Sequence, residues 1–95
     1  MSAMNILIAD KFPEAHQQML REAGFMVISE PGLKGEALVE SIKENEPEIL
    51  VVRSTKVPEE AISAFPGLSL IVRAGAGYDT IDVGAASRRS VYVAN

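Results

Sequence analysis

Two arginines follow apolar stretches of this 95-residue sequence in similar settings. Arg53 follows "EILVV" and precedes Ser54 in "VVRSTKV", and Arg73 follows "LSLIV" in "LIVRAGAGYD". Guanidinium groups bind carboxylates and phosphates through paired hydrogen bonds. Because two neighbouring positive charges repel each other, arginines at one edge of a fold favour an anion between them.

A glycine-alternating turn follows Arg73. Gly75 and Gly77 flank Ala76, and the missing Cβ atoms let the backbone bend tightly and bring its N–H groups close to a ligand. Together with the two arginines and the hydroxyl of Ser54, this turn would suit a small acid. Alternatively, the glycines only shape a turn between a strand and a helix, and the arginines are solvated.

Other kinds of site have weaker support. The turn is not a dinucleotide fingerprint, because G-x-G-x-x-G requires glycine where Thr80 stands. A phospho-acceptor receiver domain needs an acidic pair after its first strand, whereas Asp10 stands alone and is interpreted as a turn or cap residue. His16 is the sole histidine and the sequence has no cysteine, so we expect no metal site.

Apolar stretches alternate with amphipathic ones along the sequence. Strands are predicted at 4–9, 25–29, 48–52, 68–72 and 91–94, and helices at 13–24, about 34–44, 58–64 and 81–89. Strands that alternate with helices over short connections predict a parallel sheet with helices on both faces. We therefore expect an α/β fold, a flavodoxin-like doubly wound sheet of five strands in the order 2-1-3-4-5.

The helical segments carry further local signals. Ala15, Met19 and Ala23 share one face of the first helix at a spacing of four residues, with Leu20 beside them. In the second helix, the side chains at 38, 41 and 42 are expected to point inward. Asp82 lies near the start of the fourth helix, where a carboxylate is favourable.

Composition excludes several classes of protein. The net charge of −4 disfavours nucleic-acid binding, which relies on basic residues. The sequence contains no apolar run of about 18 residues, so we expect no membrane span. Its start lacks the pattern of a signal peptide. These features predict a cytoplasmic protein without nucleic-acid or membrane partners.

The stretches "LVVRSTKV" at 50–57 and "LIVRAGAGYDTIDVGAASRRSVYVAN" at 70–95 are similar to the N-terminal part of the D-3-phosphoglycerate dehydrogenases. These enzymes are a branch of the NAD-dependent D-2-hydroxyacid dehydrogenase family. The opening "NILIAD" and the later "LREAGF" fit the same family, so the resemblance covers essentially the whole chain. One departure is that "RSTKV" is a residue shorter than the common R-S-x-T-K-V.

The resemblance implies roles for the two arginines, the neighbouring serine and the glycine turn. Arg53 and Arg73 would hold the phosphate and carboxylate of the substrate, with Ser54 beside them. The backbone of Gly75, Ala76 and Gly77 would bind the substrate carboxylate. The implied partner is therefore a small anionic substrate, a phosphorylated hydroxy acid.

The resemblance also implies where the cofactor lies. Ala76 would approach the nicotinamide end of NAD, and Asn95 would stand where the chain crosses to a Rossmann domain. That domain would bind most of the NAD and carry the catalytic arginine, glutamate and histidine. We therefore expect residues 1–95 to be the N-terminal part of a substrate-binding domain, without catalytic residues and without tight NAD binding.

Two functions remain open from the sequence. In the first, the whole enzyme is an oxidoreductase that converts 3-phosphoglycerate to 3-phosphohydroxypyruvate in serine biosynthesis, and this chain alone is inactive. In the second, the chain is a non-catalytic anion-binding or dimerising α/β module, since incompletely covered apolar surface favours association. A homo-oligomer is compatible with both.

Overall fold

The computed structural model describes residues 4–74 and 80–94. Five strands and four helices alternate in this part of the chain, and each overlaps its predicted segment. Their bounds are β1 (Asn5–Ile8), α1 (Glu14–Glu22), β2 (Met26–Ser29), α2 (Glu36–Asn45), β3 (Ile49–Val52), α3 (Glu59–Ile62), β4 (Leu70–Arg73), α4 (Val83–Arg88) and β5 (Tyr92–Ala94).

The strands form one parallel sheet in the order β2-β1-β3-β4-β5, which confirms the predicted fold class and order. β3 is central and pairs with β1 on one side and β4 on the other. In these pairs Ile6 lies beside Ile49, and Val52 lies beside Arg73. The strand order reverses between β1 and β3, which makes this boundary the topological switch point of the sheet.

Helices cover the two faces of the sheet unequally. α2, α3 and α4 pack on one face, where the larger core cluster includes Leu7, Leu38, Ile42, Leu50, Val52, Ile62, Ile71 and Ala85. α1 covers the other face through Leu20, near a smaller cluster of Ile6, Ile8 and Val51. Leu38, Ser41 and Ile42 are buried, as the spacing in α2 predicts.

The ends of the helices follow local chemistry. Pro13 precedes α1, where its fixed φ suits entry into a helix. Asp82 caps α4, because its Oδ1 accepts the N–H of Ala85 at 2.9 Å. Among the described residues, none of the helices has the length and hydropathy needed to cross a membrane.

Candidate functional site: a cleft at the switch point

The cleft at the switch point arises from the direction of two connections. After β1 the chain leaves toward α1 on one face, and after β3 it leaves toward α3 on the other. Ligands of open parallel sheets bind outside the carboxyl ends of the strands at such a point. Asp10 follows β1 and Arg53 follows β3, so both stand at this position.

The carboxylate of Asp10 fixes the loop that follows β3. Its Oδ2 accepts the backbone N–H groups of Arg53 at 2.6 Å, Ser54 at 3.1 Å and Thr55 at 3.1 Å. Hydrogen bonds to an ionised acceptor are roughly twice as strong as neutral ones. The backbone from Arg53 to Thr55 is therefore held to β1 by a single oxygen atom.

The same contacts set the charge of Asp10. Partial burial by itself raises the pKa of this carboxyl, but hydrogen bonds from the Arg53 backbone, the Thr55 hydroxyl and the Thr55 and Ser54 backbones outweigh it. The pKa therefore lies below the usual 3.8. Asp10 is ionised at neutral pH and serves as an anchor. The sequence interpretation of Asp10 as a turn or cap residue missed this role, although an acidic residue at the end of a strand was a signal for it.

The far end of the same loop is also fixed. Val57 is fully buried, its N–H donates to the carbonyl of Thr80 at 2.7 Å, and its own carbonyl accepts the N–H of Asp82 at 3.0 Å. Val57 and Ile81 form an isolated parallel bridge. The backbone of residues 53–57 is therefore held at both ends, which restricts the positions of the Cα atoms that carry the Arg53 and Ser54 side chains.

The sequence predicts a glycine turn at residues 75–77. Gly75, Ala76 and Gly77 are outside the described residues, and so is Asn95. The residues flanking the turn are described: Ala74 donates its N–H to the carbonyl of Val52 at 2.7 Å, and Thr80 accepts from Val57. Ala74 is therefore bonded to β3, and Thr80 is bonded to the loop that follows β3.

An open cleft of about 530 Å³ lies above the switch point. Its described lining is Asp10, Lys11, Pro31, Gly32, Arg53 and Ser54. A second cavity of about 630 Å³ adjoins it, shares Asp10, Gly32 and Ser54, and extends to Lys34 and Lys56. Arg53 and Ser54 are exposed, so their side chains are accessible to a ligand in the cleft.

The cleft is positively charged although the chain carries a net charge of −4. Four exposed cations line the two cavities: Lys11, Lys34, Arg53 and Lys56. Within residues 4–74 and 80–94, none of the four forms an ion pair, whereas Arg21, Lys43 and Arg88 each pair with a glutamate elsewhere. Asp10 is the acidic residue in the lining, and its Oδ2 already accepts three N–H groups. A cleft of this kind attracts anions.

Arg73 stands next to the cleft on the neighbouring strand. Arg73 is half-buried. In the sheet register it pairs with Val52, the residue that precedes Arg53. Because register partners share a face and Val52 packs under α2–α4, Arg73 lies on that face. It is not among the described residues that line the cleft. The structure thus brings Arg53 and Ser54 into one cavity and puts Arg73 at the same edge of the sheet.

The described residues do not fit a dinucleotide or a metal ion. The helix after the glycine turn is six residues long, and the Asp82 carboxylate occupies its N-terminus, where a pyrophosphate would bind. No group of three or more potential metal ligands occurs in the described ranges. His16 is exposed on α1 and packs edge-on against Phe12.

Comparison with known proteins assigns the chain to a family. Residues 6–95 match the model of the D-isomer specific 2-hydroxyacid dehydrogenase catalytic domain. The chain is 38% identical over 93 residues to a D-3-phosphoglycerate dehydrogenase of Archaeoglobus fulgidus and 40% identical over 93 residues to one of Methanocaldococcus jannaschii. Each alignment covers 97% of this chain but only 17% of the relative.

A solved structure agrees with these relatives. The crystal structure of NAD+-bound 3-phosphoglycerate dehydrogenase from Entamoeba histolytica has a TM-score of 0.84 and 35% identity, over 97% of this chain and 32% of that one. The likeness in fold therefore extends over nearly the whole of this chain and a third of the enzyme. The chain belongs to the D-isomer specific 2-hydroxyacid dehydrogenase family.

Proposed function

We propose that this chain is the N-terminal part of the substrate-binding domain of a NAD-dependent D-3-phosphoglycerate dehydrogenase. The observation that carries the proposal is the Arg53–Ser54 loop, which Asp10 fixes at the mouth of a positively charged cleft. The identity of 38–40% to relatives of that name supports this branch of the family. The alternative is an anion-binding or dimerising module without a catalytic partner domain.

The chemistry of 3-phosphoglycerate suits this edge of the sheet. The molecule carries a carboxylate and a phosphate at its two ends, so it needs two cationic contacts a few ångströms apart. We assign one anionic group to the Arg53 guanidinium and the Ser54 hydroxyl, and the other to Arg73 and the backbone of the turn at 75–77. Each charge-assisted hydrogen bond would contribute about 1.5–3 kcal/mol.

The proposed reaction removes a hydride from C2 of the substrate and a proton from its hydroxyl group, which leaves a ketone. NAD, when bound, would accept the hydride. We assign its binding and the proton transfer to residues outside this chain, because the described residues do not fit a dinucleotide. In this chain Ala76 and Asn95 would lie nearest the cofactor. The residues of this chain bind the acid and orient it, and the chain alone would not oxidise the substrate.

The reaction would supply serine biosynthesis. We place it in the cytoplasm because the sequence contains no cysteine and therefore no disulfide framework typical of secreted domains. A homo-oligomer is compatible with this proposal.

A titration of 3-phosphoglycerate into the chain, followed by ¹H–¹⁵N NMR, tests the proposal. We expect weak binding that Arg53→Gln and Arg73→Gln each reduce at least about tenfold, the effect of about 1.4 kcal/mol. Arg89→Gln is the matched control, because Arg89 is exposed at the end of α4, away from the cleft. Absence of binding in the unchanged chain, or equal loss in the control, would contradict the proposal. Tight self-association without binding would support the alternative.

A further inference from the structure

Three consecutive backbone N–H groups of the loop after β3 converge on one point. Those of Arg53, Ser54 and Thr55 all lie within 3.1 Å of Oδ2 of Asp10. Successive N–H groups that point to one side form a nest, a concave site that binds anions. In this protein the anion in the nest is the side-chain carboxylate of Asp10.

The position of Asp10 is itself fixed by neighbouring segments. Ala9 is fully buried, donates its N–H to the carbonyl of Val51 at 3.0 Å and accepts the N–H of Gly32 at 3.2 Å. The residue before Asp10 is thus bonded both to β3 and to the loop after β2. Gly32 also lines the cleft. The carboxylate therefore projects from a rigid point into the loop that carries Arg53.

We propose that Asp10 is the positioning residue of the anion site, because its carboxylate fills the nest and leaves the side chains of Arg53 and Ser54 to meet the ligand. The identity of that ligand rests on the proposed function, whereas the filling of the nest does not. The three N–H groups are already bonded to Asp10. An incoming phosphate or carboxylate is therefore directed to the guanidinium and the hydroxyl above the nest.

Removal of the carboxylate has a distinctive consequence. In Asp10→Ala the nest loses its anion, and the loop loses its three backbone bonds and the bond of the Thr55 hydroxyl to Asp10, while it keeps the bonds of Val57 at its end. A small free carboxylate can then occupy the vacated position. Formate has the same acceptor group as the Asp10 side chain and suits this purpose. Recovery in formate separates positioning by the carboxylate from a general loss of packing.

The experiment uses the 95-residue chain and follows two readouts. The first is the amide resonances of Arg53, Ser54 and Thr55 in ¹H–¹⁵N spectra, and the second is the affinity for 3-phosphoglycerate. We expect Asp10→Ala to shift all three resonances upfield and to weaken binding about tenfold, the effect of about 1.4 kcal/mol. We expect added formate to restore both. Unmoved resonances, or a lack of recovery in formate, would overturn the proposal.

Two further variants keep the test decisive. Asp82→Ala is the control, because it removes another carboxylate that accepts a backbone N–H, at the start of α4. It should change neither the three amide resonances nor the affinity. If Asp10→Ala does not fold, Asp10→Asn replaces it, since its uncharged oxygen can still accept hydrogen bonds. It should shift the resonances less and weaken binding about threefold, and no change in either readout would overturn the proposal. If the unchanged chain does not bind 3-phosphoglycerate, the proposed function fails, and the resonances and their response to formate decide the role of Asp10 alone.

Discussion

The backbone N–H of Val57 lies 2.7 Å from the carbonyl oxygen of Thr80. This bond joins the end of the loop after β3 to the residue that precedes the Ile81 bridge, two segments that are distant in sequence. At the start of the loop, the Asp10 carboxylate makes the corresponding connection to β1. Arg53 and Ser54 are therefore carried by a backbone segment that is fixed at both ends.

Truncation of the Val57 side chain should lower the free energy of unfolding. Val57 is fully buried, whereas Val83 is 47% exposed at the start of α4. We expect Val57→Ala to lower the free energy of unfolding by about 1–3 kcal/mol, from lost burial and the remaining cavity. Val83→Ala, the matched control, should change it by less than about 0.5 kcal/mol. Urea denaturation measures both, and equal effects would show that the loop end is not packed as described.

The charge of Asp10 predicts a dependence of stability on pH. A pKa that is lower in the folded than in the unfolded chain gives stability that is present above the unfolded value of 3.8 and is lost as pH falls through the folded pKa. We expect the difference in unfolding free energy between the unchanged chain and Asp10→Asn to be constant near neutral pH and to shrink below pH 3.8. Urea denaturation at a series of pH values measures this difference. A difference that grows on acidification would contradict the hydrogen bonds assigned to Asp10.

The positive cleft predicts that ligand binding depends on salt. Lys56 lines the second cavity without an ion pair among the described residues, whereas Lys43 lies 4.0 Å from Glu40 on α2. We expect Lys56→Gln to weaken 3-phosphoglycerate binding about two- to threefold at low ionic strength and to have less effect at high salt, because exposed charges are screened. Lys43→Gln should have no effect on binding. Calorimetric titration at two salt concentrations tests this, and an equal loss in both variants would argue for a general effect of net charge.

Asp82 should affect stability but not binding. Its carboxylate caps α4 through the N–H of Ala85, and loss of such a cap costs about 1 kcal/mol. We expect Asp82→Ala to lower the thermal midpoint while the affinity for 3-phosphoglycerate stays the same. Thermal unfolding by circular dichroism and the NMR titration give the two values. A loss of affinity would place α4 in the ligand site, against the present assignment.

Much of the fold was predictable because its signals are local. Alternating strands and helices with short connections leave few topologies, and the strand order was predicted correctly. The buried positions of α2 followed from spacing alone. α1 shows the limit of spacing: Ala15, Met19 and Ala23 share a face, yet all three are exposed, and Leu20 packs toward the sheet instead. Which face of a short helix is covered depends on the strands beneath it, which the sequence of the helix does not contain.

The candidate site was predictable only in part. Arg53 and Ser54 could be singled out because they come directly after an apolar strand, and they do line the cleft. The anchoring role of Asp10 was missed, although its place after a strand was a signal, because the contact joins residues 43 positions apart across β1 and β3. That Arg53 and Arg73 follow or end neighbouring strands came from the predicted strand order, whereas the face on which Arg73 lies depends on the register of β4 against β3. The roles assigned to Gly75, Ala76, Gly77 and Asn95 stay predictions.

The all-parallel sheet has a consequence for how the chain folds. Each described strand pair joins residues more than about 20 positions apart, as in Asn5 with Met26 and Leu70 with Tyr92. None of these described strand pairs is a tight hairpin, so loop-closure entropy must be overcome before their ladders gain hydrogen bonds. Refolding should therefore be slower than that of a helical bundle of equal length, and substitutions that weaken the long-range meeting of β1 and β3 should slow it further.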